Sequence, residues 1–520
     1  MNALGSKGAV AAGSEQTAAA GVAILENGGN AVDAAIAAAF AVSAGEPTVT
    51  SLGGAGMMMI RLGKTGETHV CDFFSDAPLK APNEHENLDF YGVDLDYGPT
   101  TQTFYVGRGA AGVPGVIPGL GFAHEKFGKR PFAELLEPAI QFLDAGVTLG
   151  NQQLGMAAFL EPILTRRPDS KALFSPYGKY LATDGRFASP ALTKSLKSMQ
   201  RLGWKRYYHE ILIPIMVEEF GWAQGGLLSV EDFERYRPVL RSPLSTQFFD
   251  HRVYTVPTPA AGGQMIADML ALLDGFSTSG SSVLERIAAF CAALEIGDER
   301  RLERITGQQS EDLNQAKQTF YRKIMALQGQ VKLPGGPPST THISTIDSDG
   351  NAVALTLSHG ESNACPIGDT GIMMNNFLGE SDLLPQGFGT APTGQRLATM
   401  MSPTIAVSEP RNALIAIGTG GANRIRSSIL QVLWHLIADK QSALRAVAAP
   451  RLHYEGGELN IECFERNIDW DSLKQKTPGQ ITRFESPNLY FGGINCITFN
   501  DADGVSGAGD IRRGGVYRMA

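Results

Sequence analysis

The strand signals in this sequence come in groups set between blocks of helix, and that grouping limits the fold more than any other feature. Residues 14–44 read as two Ala-rich helices, with Ser14 as an N-cap, a break at Gly28-Gly29 and a restart at Asn30 or Asp33. Met57–Leu62 and His69–Phe74 read as strands around a Gly63-Lys64-Thr65-Gly66 turn. Helical patterns then cover about 131–220, the segment after a strand at Val253–Val256, and 283–330. Beyond Leu333-Pro334-Gly335-Gly336-Pro337-Pro338 the character changes. Thr341–Ile346 and Ala352–Leu357 alternate like a hairpin, Leu414–Ile417 leads through Gly418-Thr419-Gly420-Gly421 into a helix near Ile425–Ala438, and 480–520 is strand-rich. Regular βαβ alternation is missing, so the expected class is α+β, with stacked layers of helix and sheet rather than a doubly wound parallel sheet.

Composition narrows the function. Lys+Arg total 44 against 53 Asp+Glu, a net charge of −9, which disfavours nucleic acid as a partner. Gly supplies 60 of the 520 residues, well above the usual level of about 7%, as expected for many tight turns and close backbone approaches. The five cysteines are widely spaced with no CxxC pair, which suits free thiols better than a disulfide framework or a zinc site. The nine histidines show no HExxH-like spacing, so neither a metal nor a cofactor is expected. The most apolar stretch, residues 34–44, is 11 residues long, short of the roughly 18 that span a membrane. No basic n-region precedes an apolar run at the N-terminus, which points to the cytoplasm unless a leader has been removed.

The hexapeptide Pro337-Pro338-Ser339-Thr340-Thr341-His342 is the most informative. Two prolines hold the chain extended and exposed before hydroxyl and imidazole residues open an alternating strand. One reading is a self-cleaving junction. The Thr340 hydroxyl attacks the Ser339 carbonyl, and the new N-terminal Thr340 then carries its own base, an α-amine with an ordinary pKa of about 7.7–8. The other reading is a linker running into a strand. Gly418–Gly421, a turn between strand and helix, presents N–H groups fit for an oxyanion or for a phosphate. His342 reads as a packed strand residue, since a Thr amine already fills the role of base.

Eight motifs then occur in order: Gly28-Gly29-Asn30-Ala31-Val32-Asp33-Ala34-Ala35, Gly112-Val113-Pro114-Gly115, Thr340-Thr341-His342, Asp349-Gly350-Asn351-Ala352-Val353, Met374-Asn375-Asn376, Ser402-Pro403-Thr404, Gly420-Gly421 and Asp510-Ile511-Arg512-Arg513-Gly514-Gly515. In this arrangement the chain resembles the γ-glutamyltranspeptidase family of N-terminal nucleophile (Ntn) hydrolases, from about residue 8 to the end. The resemblance implies a precursor cut into a large subunit, 1–339, and a small one, 340–520, interleaved in one four-layer αββα body. Such a pair of cleavage products is the expected partner arrangement, and a dimer of such pairs is compatible with it. The resemblance also implies Thr340 as nucleophile, Ser358 as a hydroxyl that assists processing, and Gly420 and Gly421 as the oxyanion hole.

Departures from the family pattern bear on the substrate. Phe74 stands where the family has an Arg that holds a glutamyl α-carboxylate, and a Phe offers no bidentate fork. Asn375-Asn376-Phe377-Leu378-Gly379-Glu380 replaces a polar residue by Phe377 and keeps a carboxylate, Glu380, for an amine. Gly360, followed by Glu361, stands where an Asn is expected, and Ala398-Thr399 or Thr399-Met400, depending on a one-residue choice of alignment, takes the place of a Ser-Ser pair. Arg396 or Arg108 is the candidate replacement clamp. The expected substrate site is thus Glu380, Asn376, Thr399, Arg396 and Phe74. The expected function is an autoprocessing amidohydrolase or acyltransferase acting on a γ-glutamyl or similar small amide. The alternatives are an acylase with a more apolar, non-glutamyl pocket and an unprocessed, non-catalytic binding protein. No GxSxG elbow supports a Ser-His-Asp hydrolase.

Overall fold

The computed structural model describes residues 6–84, 86–96, 101–276, 281–307, 312–325, 339–384, 386–463, 468–477 and 479–520. The linker at 333–338 lies outside them. Two antiparallel sheets form the centre. In chain order their strands are β1 (Gly8–Ala12), β2 (Ala55–Arg61), β3 (Thr68–Phe73), β4 (Val239–Arg241), β5 (Leu244–Phe248) and β6 (His251–Thr255). They continue with β7 (Thr340–Asp347), β8 (Ala352–Ser358), β9 (Thr404–Ser408), β10 (Ala413–Gly418), β11 (Asn495–Asn500), β12 (Gly504–Gly509) and β13 (Val516–Met519). One sheet runs β13-β1-β7-β8-β2-β3-β4, the other β12-β11-β10-β9-β6-β5.

The alternation of side chains makes the layers. In β2, Met58 and Ile60 join a core with the helices α1 (Glu15–Glu26) and α2 (Ala31–Gly45), while Met57 and Met59 face the second sheet. In β10, Leu414 and Ala416 face the first sheet, while Ile415 and Ile417 pack on α3 (Ala261–Leu273), α4 (Val283–Thr306) and α5 (Arg424–Ile437). Three apolar cores therefore separate four layers, αββα. Small side chains let α2 lie flat on the sheet: every residue from Ala31 to Gly45 is buried. Its N-terminus carries the capping box of Asn30 and Asp33, with each side chain accepting the other's backbone N–H at 2.9 and 3.0 Å.

The expected hairpin at 341–357 is present, with Thr340 opposite Ser358 and Ile346 opposite Ala352. The expected long helical stretch at 131–220 is instead a chain of short helices. Gly146, Gly185 and Gly203 break it at positive φ (72°, 74° and 81°). Strands β4, β5 and β9 and a peripheral hairpin, Tyr91–Asp96 with Thr101–Val106, went unread in the sequence. Among the described residues no helix is long and apolar enough to cross a membrane.

Candidate active site

Strand register places the two hydroxyls together. Thr340 opens β7 and Ser358 ends β8, paired across the ladder and both on the face towards the second sheet. Ser358 Oγ donates to the carbonyl oxygen of Ser339 at 2.7 Å, and Gly360 N–H donates to Ser358 Oγ at 3.0 Å. The carbonyl that Thr340 would attack is thus already polarised by a hydroxyl that is itself polarised. The junction is buried rather than exposed, with Ser339 at 2% and Thr340 at 8% exposure. An intramolecular attack needs no access from solvent.

The turn after β10 closes on this point. A Cβ on Gly420 would lie 1.9 Å from the Thr340 carbonyl oxygen, so only glycine allows the approach. Gly421 has φ 142° and Ala422 φ 46°, a conformation that swings the chain from β10 into α5. The carbonyl oxygens of this turn are engaged inward: Gly420 O accepts Thr419 Oγ1 at 2.7 Å, and Gly421 O accepts Arg424 N–H at 2.8 Å. Arg513 Nη1 donates to Thr340 O at 3.3 Å, and burial pushes its guanidinium down to about 9.

Beside Thr340 lies a narrow cleft of about 30 Å³, lined by Phe74, Ser339, Ser358, Glu361, Phe377, Glu380, Asp382, Thr399, Met400 and Met401 among others. Phe74 and Phe377 pack with ring centroids 4.9 Å apart. Among the described residues none that lines this cleft is Arg or Lys. Burial and the neighbouring Asp382 push the Glu361 carboxyl up to about 8, and Glu380 is raised by burial and by Glu361.

The sequence-derived site residues divide accordingly. Thr340, Ser358, Phe74, Glu380 and Thr399 meet at the cleft, with Gly420 against Thr340. Asn376 stands behind it: its Oδ1 accepts Glu361 N–H at 3.0 Å and its Nδ2 donates to Tyr105 O at 3.2 Å. Arg396 is not a clamp in this cleft. Its guanidinium pairs with Asp72 at 3.0 Å and Asp76 at 2.6 Å and donates to Phe74 O at 2.7 Å, behind the aromatic ring. Arg108 pairs with Glu219 and Asp89 at 3.2 and 3.7 Å. His342 is enclosed between the sheets, bonded to Thr356 and Ser344 at 2.9 and 3.0 Å and held neutral by burial at about 3. Sequence reasoning gave no role to Asp382 or Met401 and weighed Met400 only as one half of the Thr399-Met400 alternative; their approach depends on loop conformations that no spacing encodes.

Residues 17–520 match the family described as gamma-glutamyltranspeptidase. The chain belongs to that family. It is accordingly an enzyme, an amidohydrolase or acyltransferase of the Ntn type. Among relatives of the gamma-glutamyltranspeptidase family, the acylase ACY 1 proenzyme of Pseudomonas sp. (strain V22) is 31% identical, over 99% of this chain and 93% of its own length. The glutathione hydrolase proenzyme of Escherichia coli (strain K12) is 28% identical, over 87% of this chain and 82% of its own. The crystal structure of cephalosporin acylase from Bacillus halodurans superposes with a TM-score of 0.82 at 21% identity, covering 99% of this chain and 96% of that one, and so shares the fold. The structure also explains one departure from the family pattern. Gly360 has φ 67°, and a Cβ there would lie 2.0 Å from both Asn376 Oδ1 and Glu380 Oε1, so the expected Asn has no room.

Proposed function

We propose that the chain cuts itself between Ser339 and Thr340 and that the freed Thr340 then cleaves a small amide. In processing, Thr340 Oγ attacks the Ser339 carbonyl carbon. The C–N bond breaks, the hydroxyl proton ends on the Thr340 nitrogen, and water hydrolyses the resulting ester to a Ser339 carboxylate. The same Oγ, with the new α-amine as base, next attacks a substrate carbonyl. The leaving amine takes the proton, and water or a second amine releases the acyl group. Ser358 and the N–H groups of Gly420 and Gly421 act as donors to the oxyanion, a contribution of about 3–4 kcal/mol per donor. The products, 1–339 and 340–520, stay together as one enzyme. Five free cysteines, four of them buried, suit a reducing compartment such as the cytoplasm.

The observation that carries this reading is the 2.7 Å bond from the Ser358 hydroxyl to the carbonyl preceding Thr340. The first substrates to test are γ-glutamyl amides such as glutathione. A second reading, an acylase for a non-glutamyl acyl group, is favoured by the Phe74–Phe377 pair and by a cleft lining without Arg or Lys among the described residues. Turnover of glutathione and γ-glutamyl p-nitroanilide against N-acyl amides separates the two. Activity on either class that survives Thr340→Ala contradicts the mechanism.

A further inference from the structure

Cleavage before Thr340 turns an uncharged amide into an amine, and a guanidinium already stands against that residue. Arg513 Nη1 donates to the Thr340 carbonyl oxygen at 3.3 Å, and Arg513 Nη2 donates to Leu489 O at 3.3 Å. The arm leaves the turn Ile511–Arg513 between β12 and β13 and lies against Gly493, where a Cβ would stand 2.7–2.9 Å from Cβ, Cγ and Cδ of Arg513. A Cβ on Gly420 would meet Nη1 at 2.9 Å. Two glycines therefore leave the space that this side chain fills. Covalent geometry keeps a residue's nitrogen within about 4 Å of its own carbonyl oxygen, which sets Nη1 within about 7 Å of the Thr340 nitrogen.

The other charged groups around Thr340 offset this charge only in part. Asp510 and Arg512 pair with each other at 3.2 Å, and with Arg451 and Glu462 at 2.5 Å each. Glu46, at the end of α2, accepts the hydroxyls of Thr17 and Thr341 at 2.8 and 2.6 Å. Burial raises the carboxyls of Glu46, Glu361 and Glu380, which weakens their negative charge near neutral pH. Asp382 is engaged by Asn423 at 3.4 Å, and its backbone carbonyl accepts Arg301 at 3.1 Å. The imidazoles of His342 and His359 are kept neutral by burial. Arg424, on α5, adds a second positive charge near Arg513. A guanidinium keeps its proton across the working range of pH.

An ordinary N-terminal amine titrates at about 7.7–8 and is mostly protonated, and so useless as a base, at pH 7. A like charge nearby favours its neutral form. We propose that Arg513 acts through Thr340: its fixed charge holds the freed α-amine unprotonated near neutral pH, ready to take the proton of the Thr340 hydroxyl. This rests on the Thr340 reading above and deepens it.

The test follows the acid limb of kcat/KM in mature enzyme from about pH 5 to 9.5, with γ-glutamyl p-nitroanilide or, where that class is faster, an N-acyl p-nitroanilide. In parallel the amine of residue 340 is trace-labelled with acetic anhydride, which acylates only unprotonated amines. Mass spectrometry reads the labelling against the free peptide Thr-Thr-His-Ile-Ser-Thr. Both wild-type midpoints are expected about one unit or more below that of the free peptide. Arg513→Gln keeps an N–H donor for the Thr340 carbonyl but loses the charge, and raises both midpoints by about one unit. Arg513→Lys keeps the charge and moves them by less than about 0.3 unit. A wild-type midpoint at or above that of the peptide, an unmoved midpoint in Arg513→Gln, or a loss of rate in that variant that is equal at every pH overturns the proposal. The wild-type comparison decides alone where Arg513→Gln does not mature. Failure of the Thr340 reading looks different: the chain stays uncut, or Thr340→Ala remains active.

Discussion

The β7–β8 register sets Thr340 and Ser358 opposite each other, and the Ser358 hydroxyl reaches the carbonyl of residue 339. Ser358→Ala removes that donor, and the rate of self-cleavage is expected to fall by about 100-fold, read as the half-life of the uncut band on a denaturing gel. Unchanged processing would place the oxyanion elsewhere. Glu361 carries a pH prediction. Burial and Asp382 raise its carboxyl to about 8, against the opposing pull of Arg424 and of the N–H groups of Ser339 and Glu361 itself, and Asp298 is raised to about 7. Between pH 6.5 and 8 the unfolded chain holds these carboxyls ionised while the folded chain still binds protons, so stability falls as pH rises. The buried histidines at 342, 359 and 453, held at about 3 to 4, act in the opposite sense, fully below pH 6.5 and fading over the lower half of that window as the unfolded imidazoles lose their protons. The Tm of the uncut Thr340→Ala precursor is therefore expected to drop from pH 6.5 to 8, and to drop less when Glu361→Gln is added. At this scale the residues proposed as nucleophile and oxyanion donors sit in short, contiguous motifs, and the structure brings Thr340, Ser358 and Gly420 together. The carboxylates were only half legible. Glu361 enters the cleft after a left-handed Gly360, and Arg396 pairs with Asp72 and Asp76, partners that no spacing announces.

Among the elements, the strand–turn–helix unit of β10, Gly418–Gly421 and α5 has the least tolerance. Gly420→Ala sets a Cβ 1.9 Å from the Thr340 carbonyl oxygen, so the turn must move away from Thr340. Loss of an aligned oxyanion donor predicts a fall in kcat of about 100-fold or more with the fold retained, checked by steady-state kinetics and circular dichroism. The element pattern was read correctly where capping and alternation were strong, as in α1, α2 and the β7–β8 hairpin. It failed where tertiary context decides. Strand β9 lies at the centre of its sheet, buried on both faces from Thr404 to Ser408, so no polar alternation marks it. The helices of 131–220 were run together because isolated glycines were not taken as stops.

The whole molecule explains why a cut chain would remain one enzyme. Residues 340–520 supply β7 and β8 to the centre of the first sheet, between β1 and β2 of the preceding segment, and β9 to β12 to a second sheet completed by β5 and β6. Both sheets and the core between them draw on both pieces. The fragments should therefore co-elute as a single species in native size exclusion and separate only in denaturant. Elution as two species without denaturant contradicts the interleaving. Layered architecture was visible in the grouping of strands, whereas the pairing order was not, since β1 meets β7 across more than 300 residues of sequence.

Everything in this account passes through one bond, and N-terminal sequencing of the purified protein tests it most directly. The account predicts two N-termini in equal amounts, that of the large subunit and a second reading Thr-Thr-His-Ile-Ser-Thr from residue 340, with the second missing in Thr340→Ala. A single N-terminus in fully active wild-type protein would contradict it.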